Sequence, residues 1–239
     1  MGLKNAPATF QRLIDQVLRG LQNVEMLVYL DDIIVYAKDL REHDSKVRRL
    51  FDCLREARLN LEPEKVHFLR KEVGFLGHIV SQRGMEMDPK KIEVMTNFPQ
   101  PKTVRNVRQF LGMAGYYRRF IQGFSKIAKP LHDMTKKGVK FKWTPKQETS
   151  FQTLKTCLTT APILIFPDFS KPFTLTTDSS DLPIGAVLSQ ERDGFDNPIG
   201  YLSRVLNKAE VNYSTTEKGS LAALYAIPSW SNLHLSCRS

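Results

Sequence analysis

Two adjacent acids, Asp31 and Asp32, lie between two short β-prone apolar runs, Met26-Leu27-Val28-Tyr29-Leu30 and Ile33-Ile34-Val35-Tyr36. The pattern predicts a hairpin with carboxylates at its tip. Nucleotidyl transfer uses such a mount, because two divalent cations about 3.5–4 Å apart can bridge the attacking and leaving oxygens. Aspartate oxygens are the hard ligands that hold magnesium in such places. Aspartate is also a common turn former, and the pair taken alone is equally compatible with a solvated hairpin tip. A second acid of interest, Asp178, closes the β-prone run Thr174-Leu175-Thr176-Thr177. By itself it is equally compatible with a plain strand-to-turn exit.

Elements on either side must position these acids. An amphipathic helix is predicted over 7–21, with Phe10, Leu13, Val17, Leu18 and Leu21 at helical spacing, Asn5 as cap and Pro7 in the first turn. A second is predicted over 42–59, with Val47, Leu50, Phe51 and Leu54 on one face and Lys46, Arg48, Arg49 and Arg55 on the other. Residues 73–81 alternate as a strand or short hairpin. Phe98-Pro99-Gln100-Pro101-Lys102 has the composition of a linker. Beyond it, Thr103 can cap a helix bearing Val107, Phe110, Leu111 and Ala114, and Thr144-Pro145-Lys146-Gln147 has the order of a capping box. Strands are then predicted at 163–166, 173–177, 184–189 and 198–202, followed by a helix over 214–227 that ends at Pro228, and an aperiodic tail with Trp230 and Leu233 exposed.

Composition narrows the class. Of the 239 residues, 41% are hydrophobic and 25% charged, which is a globular rather than a disordered composition. No apolar run approaches the ~20 residues that span a bilayer, and residues 1–5 do not open a secretory leader. Cys53, Cys157 and Cys237 form no CxxC pair, which argues against zinc or disulfide frameworks and for a reducing, intracellular setting. The formal charge of +10 favours a polyanionic partner.

The order of motifs resolves the ambiguity of the acids. Tyr29-Leu30-Asp31-Asp32 resembles the YxDD box of reverse transcriptases. Upstream, the run from Gly2 through Ala6-Pro7-Ala8-Thr9-Phe10-Gln11-Arg12 resembles the segment that lies against template and incoming nucleotide. Downstream, Phe75-Leu76-Gly77-His78 resembles the primer grip, and Phe110-Leu111-Gly112 with Tyr116-Tyr117-Arg118-Arg119-Phe120 is similar to the thumb signature of gypsy-class LTR retrotransposons. Thr177-Asp178-Ser179-Ser180, Gly185-Ala186-Val187-Leu188-Ser189-Gln190 and Tyr201-Leu202-Ser203-Arg204 resemble a retroelement RNase H domain. The resemblance spans about residues 1–225.

The resemblance implies an α+β fold: a partial polymerase palm over 1–87 without fingers, a helical thumb over 88–140, and a truncated RNase H-like domain over 141–239. It implies that Asp31 is a metal ligand with Asp32 as its acidic neighbour, for magnesium or manganese. It places Gln11 and Tyr29 near template or nucleotide and residues 75–78 against the primer end, with Arg118 and Arg119 as phosphate contacts. Asp178 becomes a metal ligand for RNA cleavage. The expected partners are an RNA/DNA template-primer, a deoxynucleoside triphosphate and the rest of a Pol polyprotein, including fingers and integrase; no membrane is involved, and the setting is cytoplasmic or nuclear.

Two departures lower the expected activity. The family's first RNase H helix reads approximately EKELLA, with the second glutamate catalytic; here the matching residue of Glu217-Lys218-Gly219-Ser220-Leu221-Ala222 is Gly219. Glu217 cannot replace it, since two residues along a helix turn a side chain by about 200°. No RNase H activity is expected. One further palm aspartate belongs upstream of this segment in the family, so polymerisation by the chain alone is not expected either. The alternative reading is a non-catalytic nucleic-acid-binding remnant or a degenerate pseudogene product.

Overall fold

A computed structural model describes residues 5–22, 24–179 and 183–231. The expectations for Gly2 to Lys4, Ser180 and Leu233 fall outside these residues. The fold is α+β and forms two compact units, one made of the residues up to Arg70 together with those from Trp230 on, the other spanning Lys71–Ser229. No described helix is long and apolar enough to cross a membrane.

The first unit begins with helix α1 (Ala6–Val17), then hairpin strands β1 (Met26–Tyr29) and β2 (Asp32–Val35), and helix α2 (Leu40–Glu56). The pairings Met26↔Val35 and Val28↔Ile33 put four apolar side chains on one face. They pack with Ile14, Leu18, Leu50 and Leu54, the inward stripes of the two helices. Helix α1 is shorter than predicted, and the Asn5 side chain makes no capping bond. Helix α2 begins two residues earlier than predicted because Asp39 caps it, accepting from the Glu42 N–H at 2.9 Å. Lys46, predicted on the solvent face, is 7% exposed. Its ammonium sits 2.7 Å from Glu42 and donates to the Tyr36 carbonyl at 2.9 Å, so its stem can be buried with the charge satisfied.

The second unit opens with an antiparallel meander, β3 (Glu72–Phe75), β4 (His78–Ser81) and β5 (Gly84–Met87), extending the predicted hairpin by one strand. Helices α3 (Pro89–Thr96), α4 (Val104–Tyr116), α5 (Phe124–Met134) and α6 (Pro145–Thr159) follow. Thr103 caps α4 through the Asn106 N–H, and α6 carries the predicted capping box. Their shared core is built on Val107, Phe110, Ala114, Leu131, Phe151 and Leu154. The proline-rich passage is no free linker: Phe98 packs on Phe110 with ring centroids 5.6 Å apart, and its carbonyl accepts from Lys155 at 2.6 Å. A second meander, β6 (Thr174–Ser179), β7 (Pro183–Arg192) and β8 (Phe195–Val205), carries helix α7 (Thr215–Ser231) through Ile184, Leu206 and Ala222.

Two predicted elements change. The run 163–166 forms only one antiparallel bridge, Leu164 with Met85, while the Ile165 N–H donates to Pro198. Helix α7 passes through Pro228 rather than ending there, and the Ser229 hydroxyl donates to the Tyr225 carbonyl within that last turn. Trp230, predicted exposed, is partly buried on this extended helix.

Candidate functional site

In the first unit, Tyr29 pairs with Asp32 across a two-residue turn, Leu30-Asp31. Leu30 has φ 53°, a conformation that the tight turn imposes on an ordinary side chain at a cost of about 1–2 kcal/mol. Strand alternation sends Tyr29 and Asp32 to the face opposite the core, and Tyr29, Asp31 and Asp32 are all exposed. Gln11 reaches back from α1: its Oε1 accepts from the Leu30 N–H at 2.6 Å, and its Nε2 donates to Asp15 at 2.8 Å. The helix thereby holds the strained tip through the one residue whose backbone sets the direction of the acids.

In the second unit, residues 75–78 close a turn with both central residues at positive φ, Leu76 at 49° and Gly77 at 72°. Two tyrosines at the end of α4 bind this turn from 40 residues away. The Tyr116 hydroxyl donates to the Leu76 carbonyl at 2.6 Å, and the Tyr117 hydroxyl to the Gly77 carbonyl at 2.7 Å. Gly77 is required for a second reason, because a Cβ there would lie 2.9 Å from the Tyr117 hydroxyl. The His78 ring packs against Tyr116, Tyr117 and Phe120, with centroids 5.3–5.6 Å apart. Arg118 and Arg119 are exposed in the short helical turn that follows α4.

His78 Nδ1 lies 2.9 Å from the Leu76 carbonyl and so carries the proton, leaving Nε2 buried without a partner. Burial, with help from the Arg119 charge, pushes the His78 pKa below its ordinary value; burial does the same to His132. The folded unit therefore binds fewer protons than the unfolded chain. Its stability is complete above an unfolded histidine pKa of about 6.5 and drains as pH falls below it. Urea midpoints at mildly acidic pH are expected to lie below those at neutral pH, and the difference should shrink in His78→Phe; an unchanged difference contradicts the assignment.

In the RNase H-like portion, Asp178 lies on β6 opposite Gly185 and is exposed. Glu217 is engaged elsewhere: its carboxylate accepts from both the N–H and the hydroxyl of Ser214 at 2.8 Å, forming the helix cap. A Cβ at Gly219 would meet nothing within 4 Å, so packing does not dictate the glycine. Among the described residues no three His, Cys, Asp or Glu side chains come together in a way that could hold a metal.

The sequence points to the acids, the turn at 75–78 and the arginines, but not to the tyrosine clasp that holds that turn. No local signal marks a hydroxyl's partner so far away in sequence. Gln11 was singled out, but its bond to the tip was not.

A family model for reverse transcriptase (RNA-dependent DNA polymerase) matches residues 1–80, and one for the RNase H-like domain found in reverse transcriptase matches residues 143–238. The chain thus joins a reverse transcriptase segment to an RNase H-like one, and its curated relatives are retrovirus-related Pol polyproteins. It is 46% identical over 237 residues to the Pol polyprotein from transposon opus of Drosophila melanogaster, covering 95% of this chain and 24% of that protein. It is 38% identical to the Pol polyprotein from transposon gypsy of the same organism, covering 95% and 23%. The chain thus spans about a quarter of the curated relatives it matches. Among solved structures it is similar to the foamy viral protease-reverse transcriptase dRH in complex with double-stranded DNA, with TM-score 0.85 and 26% identity over 98% of this chain and 41% of that one.

Proposed function

We propose that this chain is the later palm (1–87), the thumb (88–140) and an RNase H-like portion (141–239) of an RNA-directed DNA polymerase that grips template-primer. The observation that carries the reading is the pair of exposed carboxylates on a strand-locked tip in the Tyr29-Leu30-Asp31-Asp32 turn. The structural neighbours are complexes with double-stranded DNA and with an RNA/DNA hybrid, which supports nucleic acid as the ligand.

Hard oxygen donors on an open turn suit magnesium or manganese, and Asp31 and Asp32 would hold the cation. When bound, it neutralises charge developing on the attacking and leaving oxygens. The protein's own part is positioning. Gln11 prevents the tip from rocking, and Tyr29, beside Asp32 on the outer face, is placed to touch template or nucleotide. The clasped turn at 75–78 offers a rigid backbone to the primer end, while Arg118 and Arg119 meet phosphates. Two carboxylates are fewer than a two-metal site uses. A further acid then comes from the upstream part of the palm and the contacts to the incoming deoxynucleoside triphosphate from the fingers, with integrase as a further neighbour in the polyprotein. A cytoplasmic or nuclear setting belongs to the same reading.

Among its described residues the RNase H-like portion brings no metal-holding cluster together. Glu217 is committed to Ser214, and Gly219 offers no ligand. A binding role without cleavage suits this half. The test uses the purified chain with a recessed template-primer and with an RNA/DNA hybrid, in magnesium and in manganese. Salt-sensitive binding, no primer extension on poly(rA) and no hybrid cleavage are expected. Cleavage that disappears in Asp178→Asn overturns the inactive assignment, and absence of any binding overturns the polymerase reading.

A further inference from the structure

Helix α5 begins without a cap of its own. Its N-cap residue, Gly123, has no side chain to offer, and its φ of 65° belongs to the turn that swings the chain from residues 118–120 into the helix. The missing acceptor comes from 78 residues away. The Ser203 hydroxyl on β8 accepts from the Ser125 N–H at 2.9 Å, the donor that a capping side chain normally serves, and the Ser125 hydroxyl donates to the Ser203 carbonyl at 2.8 Å. A strand of the RNase H-like portion thus caps a helix outside that portion.

Strand alternation gives β8 two different faces. Tyr201 and Ser203 face the helices, with Tyr201 packed against the core that contains Phe110 and Leu131. Arg204 lies on the other face, where it donates to Glu210 at 2.7 and 2.8 Å and sits over the Tyr225 ring of α7. Ile184, the cross-strand partner of Arg204, belongs to the core shared with α7. The strand is therefore anchored from behind, and Ser203 presents a fixed acceptor to α5.

The same strand also reaches the other partner of the clasp. Its Pro198 carbonyl accepts from the Ile165 N–H at 2.9 Å, and the adjoining Leu164 exchanges two backbone bonds with Met85 on β5. Strand β5 pairs with β4, which begins at the turn of residues 75–78. The turn, the two tyrosines, α5, β8 and the first meander therefore close a ring of fixed contacts. Arg118 and Arg119 lie within that ring, on a stretch pinned at Tyr117 by the Gly77 carbonyl and at Ser125 by Ser203. Phe120 and Ile121, buried between these two points, keep the stretch against the core.

Resting on the polymerase reading, we propose that Ser203 is a positioning residue for the primer end: it fixes the first turn of α5 and, through it, the segment that carries Arg118 and Arg119. The RNase H-like sheet then serves the polymerase half as a brace, a role that needs neither a metal nor a carboxylate. Ser203 acts only through residues 118–125. A single hydroxyl matters because it closes the ring. Without it the first turn of α5 frays, the arginines sample other directions, and a phosphate binds only after they are ordered again.

The test compares the full chain with three variants. Ser203→Ala removes the cap supplied from β8, and Ser203→Thr keeps a hydroxyl there. Thr103→Ala removes the cap of α4 at the end away from the clasp, where the hydroxyl accepts from the Asn106 N–H at 3.2 Å. Thermal melting, amide exchange and affinity for a recessed template-primer are measured on each. Both alanine variants are expected to melt earlier by similar amounts. Only Ser203→Ala should weaken template-primer binding, by roughly 3- to 10-fold, and speed exchange across residues 118–125 by a similar factor. Ser203→Thr should stay close to the wild-type chain in both. Equal loss of affinity in Thr103→Ala, no recovery in Ser203→Thr, or unchanged affinity in Ser203→Ala makes Ser203 a stability residue only; each overturns the inference while leaving the polymerase reading in place. If Ser203→Ala does not fold, Ser125→Ala, which removes only the reverse bond, replaces it, and unchanged affinity there overturns the inference as well. A wild-type chain that binds no template-primer removes both readings.

Discussion

Gly84→Ala is expected to destabilise the second unit by about 3–5 kcal/mol, enough to remove much of the stability of an ordinary domain. Gly84 has φ 137°, where side chains are strained, and a Cβ there would stand 2.2 Å from the Leu164 carbonyl oxygen. That oxygen cannot move aside cheaply, because it accepts from the Met85 N–H at 2.8 Å while Leu164 donates back to Met85 at 3.0 Å. The glycine thus permits the one bridge between the first meander and the segment leading to the second. Gly138→Ala provides the comparison, since its φ of 82° is strained but nothing lies within 4 Å of the added carbon. It should cost about 1 kcal/mol. Urea unfolding followed by circular dichroism distinguishes them: a small midpoint shift for Gly138→Ala and a large one for Gly84→Ala. Equal shifts would mean that the bridge contributes nothing.

The largest functional effect is expected at Asp31. Placed in the transposon opus polyprotein in exchange for the matching segment, to which it is 46% identical, this chain would sit among the parts it does not itself supply. In that setting Asp31→Asn should lower primer extension by about 10²–10³-fold or more, because on the proposed reading it removes the charge that would hold the cation while keeping the shape of the tip. Template-primer affinity should change less than about twofold, since one exposed carboxylate contributes little to ground-state binding of a polyanion. A parallel loss of binding and extension would instead make Asp31 a structural turn residue. Gln11→Leu serves as an internal comparison: it keeps both acids and frees the tip, so extension should fall by less than in Asp31→Asn. Should Gln11→Leu prove the more damaging, the chemistry depends on the helix contact rather than on the carboxylate.

The tyrosine clasp joins the turn at 75–78 to the end of α4 through two carbonyls and a packed imidazole. Both carbonyls are supported twice, Leu76 also by His78 Nδ1 and Gly77 also by the Asp88 N–H at 3.1 Å. Acid that protonates His78 puts a charge among aromatic rings, which explains why the pH sensitivity of this unit should be focused on that turn.

Much of this protein was legible in its amino acids because the information is local. Val28 and Ile33 flank the acids at period two, Thr103 precedes a helix at a capping position, and Pro145 with Gln147 marks the start of α6. The α+β character and the tip with its paired acids follow from such patterns. Tertiary structure alone decided what depends on partners distant in sequence. Lys46 is buried because Tyr36 and Glu42 satisfy its charge, and Phe98 is core because Phe110 and Lys155 receive it. Residues 163–166 do not extend into a strand, because Met85 on one side and Pro198 on the other each take one of their N–H groups. Charge and hydrophobicity can be counted along a chain, but a hydrogen bond needs a partner, and which partner is chosen only when the chain packs.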